Sequence, residues 1–124
     1  MHELSIVMNI VQIAEEQVQK NNAQSIDQIE LEIGTMAGIE FESLDFVWEV
    51  AVKNTVLSGA TRMINRIQAR ARCMECGYEF PVIEPFQPCP ACQGYLNEFI
   101  QGKELRVKSL ILSSQPKSVA NWNK

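Results

Sequence analysis

Four cysteines set in two pairs constrain this chain more than any other feature. Cys73 and Cys76 form one pair and Cys89 and Cys92 the other, in the pattern C-x2-C-x12-C-x2-C, and the chain has no further cysteine. Each C-x2-C turns two sulfurs toward one point. Two such knuckles make a tetrahedral thiolate cage of the kind Zn²⁺ takes in closed structural sites. Gly77 and Gly94 follow the pairs and are expected to supply the positive φ that these tight turns need.

Three other readings compete. Disulfides need an oxidising compartment, and the N-terminus Met1-His2-Glu3-Leu4-Ser5 lacks the basic region of a secretory signal. A redox C-x2-C opens a helix after a strand and would not occur twice. Iron–sulfur ligation stays open, because it uses the same ligand set. Four sulfurs leave a bound metal no open coordination position, so a structural role is expected. Small segments of this kind usually need the metal to fold.

The 124 residues suit one compact domain plus a small module. Hydrophobic residues make up 46%, enough for a core, and no apolar stretch is long enough to span a bilayer. The net charge of −4 and pI of about 5.0 argue against nucleic-acid binding, which needs a basic footprint. Arg62, Arg66, Arg70 and Arg72 are a local exception. They are expected to form the solvated face of a strand, since Arg66, Arg70 and Arg72 share one parity. The segment from Ser113 to Lys124 reads as a mobile end, with Trp122 able to dock.

Periodicity supplies the frame. Leu4, Val7, Val11, Ala14 and Val18 recur at helical spacing, with Ile6, Ile10 and Ile13 widening the face, so a helix is expected from Glu3 to Lys20 and to end at Asn21-Asn22. Ile29, Leu31 and Ile33 alternate with polar residues, as in a strand from Asp27 to Ile33. Leu44, Val47, Trp48, Ala51 and Val52 predict a second helix from about Glu42 to Asn54. A second strand is expected from Thr61 to Arg72, with Met63, Ile67, Ala69 and Ala71 on one side. A third, Glu104 to Leu112, would turn Leu105, Val107 and Ile111 inward and Arg106 and Lys108 outward. The expected fold is α+β: a two-layer domain of two helices on a small mixed three-stranded sheet, with an inserted four-cysteine zinc-ribbon module. Residues 1–72 and 99–124 would form the main domain and residues 73–98 the metal module.

His2 is the only histidine. A lone histidine is usually an ordinary surface or core residue, but its position changes the weighing. Met1 should be retained, because His2 is too bulky for initiator-methionine removal. The Met1 amine and a deprotonated His2 amide nitrogen close a five-membered chelate, and His2 Nδ1 with the same amide closes a six-membered one. The Glu3 amide offers a fourth nitrogen and its carboxylate a further oxygen. A planar nitrogen set suits Ni²⁺ or Cu²⁺ and not Zn²⁺, and binding should weaken as the amine and imidazole protonate.

Met1-His2-Glu3 opening a helix, together with C-x2-C-x12-C-x2-C, the strand Ile29-Glu30-Leu31-Glu32-Ile33-Gly34 and the segment Gly102-Lys103-Glu104-Leu105-Arg106-Val107-Lys108-Ser109, resembles the HypA/HybF family of hydrogenase maturation factors. The resemblance runs from Met1 to about Leu112. It implies a nickel metallochaperone and not an enzyme. Its nickel site would lie at Met1, His2 and Glu3, with His2 as the essential ligand, and its structural zinc at Cys73, Cys76, Cys89 and Cys92. It implies delivery of Ni²⁺ to the large subunit of [NiFe]-hydrogenase with the GTPase partner HypB, service to urease in some members, and a cytoplasmic location. Some relatives give nickel a second histidine from the zinc module; this chain has none. The runner-up is a zinc-ribbon module binding nucleic acid or a transcription protein. No nucleophile–base constellation or phosphate loop supports an enzyme. A strand-exchanged homodimer is conceivable, because the third strand follows the zinc insertion.

Overall fold

A computed structural model describes residues 2–113 of the chain. Met1 and the expected mobile end beyond Ser113 lie outside them. The described elements are α1 (Glu3–Lys20), β1 (Ser25–Gly34), α2 (Phe41–Ala51), β2 (Thr61–Ile67), β3 (Arg70–Cys73), β4 (Glu79–Pro81), β5 (Asn97–Gln101) and β6 (Leu105–Ser113).

α1 forms where the apolar period predicts it and buries Val7, Ile10, Val11, Ala14 and Val18. Its end is a Schellman turn. Asn22 takes φ 53, a left-handed conformation asparagine tolerates. Ala23 N–H then reaches back to Val18 C=O at 2.9 Å, and Asn22 N–H to Gln19 C=O at 3.3 Å. α2 starts at Glu40, whose carboxylate caps the helix by accepting Ser43 N–H at 2.9 Å and Ser43 Oγ–H at 3.0 Å. It buries Leu44 and Trp48 and stops at Ala51, three residues short of the expected end, where Asn54 turns left-handed at φ 63.

The first sheet has the order β2-β1-β6. Ile26 N–H bonds Val56 C=O and Thr35 N–H bonds Ile67 C=O, so the chain beside β1 runs parallel through β2. Gln24 N–H bonds Ser113 C=O and Gly34 N–H bonds Glu104 C=O, so β6 is antiparallel. The sheet is mixed, as expected.

Two expectations are corrected. The strand expected from Thr61 to Arg72 is two strands in two sheets. It breaks at Gln68-Ala69, where Ala69 N–H leaves the ladder for Thr35 Oγ1 (2.9 Å) and the Gln68 side chain donates to Val82 C=O (3.0 Å). Arg66 therefore shares no strand face with Arg70 and Arg72. In β6, Leu105 (41%) and Ile111 (50%) are exposed and Val107 is half-buried. β6 is an edge strand, so its alternation does not sort core from solvent. Arg106 and Lys108 do point outward, and pair with Glu32 (2.6 Å) and Glu30 (3.7 Å) of β1.

The second sheet has the order β4-β3-β5, with β3 antiparallel to both neighbours. The described residues divide into two compact units. One takes residues up to Leu31, Glu40–Met63 and the chain from Val107; its buried side chains come from both helices and β1. The other takes Glu32–Ile39 and Ile64–Arg106. Ala69, Ala71, Cys73, Phe80, Val82 and Cys89 form its core, against which Met36 packs.

Candidate metal centres

The second unit is built to converge four sulfurs. β3 ends on Cys73, opposite Asn97 of β5. The chain then turns back through Gly77 N–H to Cys73 C=O (2.9 Å) and Cys73 N–H to Tyr78 C=O (2.9 Å). The second knuckle repeats this pattern, with Gln93 N–H to Cys89 C=O and Cys89 N–H to Gly94 C=O, both 2.8 Å. Backbone N–H groups point at sulfur in both: Glu75 and Cys76 toward Cys73 Sγ (3.4 and 3.5 Å), and Ala91 toward Cys89 Sγ (3.4 Å).

Gly77 supplies the expected positive φ at 82, but in the second knuckle the left-handed residue is Gln93, at φ 65, and not Gly94. Gly94 serves space instead: a Cβ there would come within 2.8 Å of Glu75 Oε2 and 3.3 Å of Cys92 Sγ. Asn97 ties the knuckle to the preceding loop, donating to Gln87 C=O (3.1 Å) and Gly94 C=O (3.4 Å).

The four sulfurs lie within 4.8 Å of one another. Cys73 to Cys92 and Cys76 to Cys89 are each 3.6 Å, too far for S–S bonds of ~2.05 Å. A tetrahedral ion with ~2.3 Å metal–sulfur bonds spaces its sulfurs by roughly 3.8 Å, so the cage fits such an ion. Its titration fits too. The N–H of Cys76, helped by that of Glu75, holds the Cys73 thiol down at about 7 against desolvation. Cys92 is pushed up to about 12: the N–H of Gly94 favours its thiolate, but the Cys73 sulfur, desolvation and the other two sulfurs outweigh it. Cys76 is also raised, as desolvation and the Cys89 and Cys73 sulfurs overcome the N–H of Tyr78. Four thiolates this close repel one another, and a divalent cation removes that conflict.

At the N-terminus, Met1 lies outside the described residues. His2 is the N-cap of α1, exposed, with no cap bond from its side chain, while its C=O accepts Ile6 N–H at 3.1 Å. Glu3 is different. It is 4% exposed, and its Oε2 accepts the backbone N–H of Glu40 at 3.0 Å. That N–H, then its own, hold its carboxyl below the usual range, with a smaller contribution from His2. Sequence reasoning missed Glu40 as the partner of Glu3, and no local signal links positions 37 residues apart. Among the described residues, the cysteines are the one cluster of three or more His, Cys, Asp or Glu side chains able to hold a metal. Nitrogen ligands from the main chain would leave no such mark.

Two of the four arginines from Arg62 to Arg72 are engaged by acids. Arg62 meets Asp45 at 2.6 Å and lies over the Trp48 ring at 5.2 Å; Arg72 meets Glu98 at 3.0 Å. Among the described residues no helix is long and apolar enough to cross a membrane.

A family model described as hydrogenase/urease nickel incorporation, metallochaperone, HypA matches residues 1–112. The hydrogenase maturation factor HypA of Parabacteroides distasonis is 39% identical over 115 residues, 93% of this chain and 100% of the relative. That of Geobacter metallireducens is 39% identical over 110 residues, 89% and 97% of the two chains. The solution structure of the Ni metallochaperone HypA from Helicobacter pylori superposes with a TM-score of 0.65 at 24% identity, over 93% of this chain and all of the other. A second solution structure of a HypA protein gives 0.67 at 25% identity, over 93% and 98%.

Proposed function

The chain belongs to the HypA family of nickel-incorporation metallochaperones for hydrogenase maturation, and on that premise we propose that it carries Ni²⁺ at Met1, His2 and Glu3. The observation that carries this reading is the position of His2. It caps a helix, and its exposed imidazole is not spent on the cap. The first amides of a helix have no intrahelical acceptor, so the nitrogens of residues 2 and 3 can lose protons without breaking a helical bond. The His2 amide and Nδ1, with the Met1 amine, give three nitrogens, and the Glu3 amide gives a fourth. Such a set suits Ni²⁺ or Cu²⁺ and not Zn²⁺, and the family description names nickel. The Glu3 carboxylate, held by Glu40, adjusts the geometry of this turn.

Ligands from adjacent residues at an exposed terminus exchange one at a time with a recipient, as a carrier requires. Cys73, Cys76, Cys89 and Cys92 hold Zn²⁺, and the closed sulfur set makes that ion structural. The segment 73–98 folds around it within the unit of Glu32–Ile39 and Ile64–Arg106, while the other unit carries the nickel-binding terminus. The recipient is the large subunit of [NiFe]-hydrogenase, with the GTPase HypB as co-chaperone, in the cytoplasm; the family description extends the same delivery to urease.

The test is a Ni²⁺ titration by calorimetry on zinc-loaded, untagged protein whose N-terminus is verified by mass spectrometry, beside His2→Ala. Tight binding in the parent that disappears in His2→Ala supports the reading; no binding, or equal binding in both, defeats it.

A further inference from the structure

A groove of about 340 Å³ lies between α1 and β6. Ile13 and Gln17 line it from the helix, and Val107, Leu110 and Leu112 from the strand. Ile13 is 42% exposed, and the three β6 side chains are half-buried. β6 is also the outer strand of its sheet. Among the described residues no strand pairs with its far edge, which is therefore a template for a further extended segment. The chain supplies a candidate. Eleven residues follow Ser113, outside both the described residues and the 1–112 matched by the family model. They include Val119, Ala120 and Trp122, with Lys117 and Lys124 and no acidic residue. All 15 acidic residues precede Ser113, so the net attraction is toward the body of the chain.

We propose that the segment from Ser114 to Lys124 folds back into this groove and seats the Trp122 indole between Ile13 and Leu110. The starting point is close: Ser113 ends β6 beside Gln24, whose N–H bonds the Ser113 C=O at 2.7 Å. Pro116 has no N–H to continue a ladder and favours a turn. A chain that reverses at Gln115-Pro116 and returns residue for residue sets Trp122 opposite Ser109 and Leu110. The six residues from Pro116 to Trp122 reach roughly 20 Å when extended, the length of β6 back to Val107. The side chain suits the site as well. An indole is a large apolar body with one N–H donor, and Gln17 offers an amide oxygen beside the apolar lining. A second copy's segment would meet the same groove, but the tether gives this chain's own segment an effective concentration in the millimolar range. Once filled, the groove denies the outer strand to other extended chains.

Fluorine NMR of the zinc-loaded full chain carrying 5-fluorotryptophan tests this. The chain has two tryptophans, and Trp122→Phe tells their resonances apart. The Trp122 fluorine should be shielded from solvent, with an H₂O-to-D₂O shift well below that of a synthetic peptide of residues 114–124. Ile13→Ser should move the docked-to-free ratio roughly tenfold toward free, as loss of a buried aliphatic contact does. Met8→Ser, at a position 53% exposed on the same helix but outside the groove, should leave the ratio unchanged. The Trp48 resonance reports the fold in each variant. In the reverse direction, Trp122→Ser should shift the Ile13 methyl resonance through the lost ring current, and it leaves the described fold intact. A Trp122 fluorine as exposed as that of the peptide overturns the proposal. So does shielding that survives Ile13→Ser, shielding lost equally with Met8→Ser, or an Ile13 methyl that Trp122→Ser does not move. A signal that dilution carries toward that of the peptide overturns it too, since it assigns the groove to a second copy. His2 and the cysteines are untouched, so failure here and failure of the nickel reading are separate results.

Discussion

Glu3 Oε2 accepts the backbone N–H of Glu40 at 3.0 Å, joining the first turn of α1 to the residue that caps α2. Residue 3 therefore has a structural task whatever its neighbours bind.

That link should be visible in the acid stability of the first unit. The N–H of Glu40 and Glu3's own N–H lower the Glu3 pKa on folding. Its contribution is thus complete above the ordinary carboxylate value of 4.5, and is lost as pH falls through the lower folded value. Glu3→Gln keeps an acceptor but removes the titration. Its thermal midpoint should fall modestly at neutral pH, with the gap to the parent closing in acid. Glu3→Ala, which abandons the Glu40 N–H, should fall further. A gap that stays constant across the acid range would contradict this.

Metal loading of the cage should release protons in a pH-dependent number. Cys76 is raised and Cys92 sits at about 12, so these two groups alone give up about two protons per ion at neutral pH. Cys73, at about 7, adds a fraction that grows as pH falls through that value. Zinc titrations in buffers of different ionisation enthalpy would read the count, which should rise from pH 8 to pH 6.

Asn97 should govern how firmly the second knuckle is held. Its amide donates to both Gln87 and Gly94 carbonyls. Asn97→Ala should cost about 1–2 kcal/mol through the lost bonds and speed zinc transfer to a chromogenic chelator. Asn97→Asp should be worse than alanine, because it sets a carboxylate against two carbonyl oxygens. A faster transfer from Ala than from Asp would reverse the argument.

Glycine substitutions should rank by space and by φ. At Gly102, with φ 113, a Cβ would overlap Ala69, and at Gly34 it would overlap the Gly102 carbonyl. Gly102→Ala and Gly34→Ala should each cost about 3 kcal/mol or more, as forced overpacking of backbone does. Gly38, at φ 83, has nothing within 4 Å, so Gly38→Ala should cost only ~1–2 kcal/mol of left-handed strain. Urea midpoints of the three variants give the order.

What the chain discloses in advance is what its local chemistry dictates. α1 was legible to the residue, because its apolar period and the Asn21-Asn22 stop both act within a few positions. The sulfur cage was legible because each ligand pair is three residues apart, although the strained residue of the second knuckle proved to be Gln93. Glu3 with Glu40, and Ala69 with Thr35, were not legible. Both join positions more than thirty residues apart through a backbone N–H, which carries no residue identity. β4 and β5 were missed because they are short and owe their extended form to pairing with β3. The burial of β6 was misjudged because it is the edge of its sheet, where the apolar face is less completely covered than on the central strand β1, which buries Ile29, Leu31 and Ile33.

The close approach of Gly34, Ala69 and Gly102 has a consequence for sequence drift. Three stretches of backbone meet there with almost no side chain between them, so mutation can explore the surrounding surface freely but not these positions. A library randomised at 34, 69 and 102 and selected only for a folded, metal-loaded product should return glycine at 34 and 102 and a small residue at 69. That fingerprint is independent of cysteine spacing, and it would distinguish a chain folded this way from one that merely shares the four ligands.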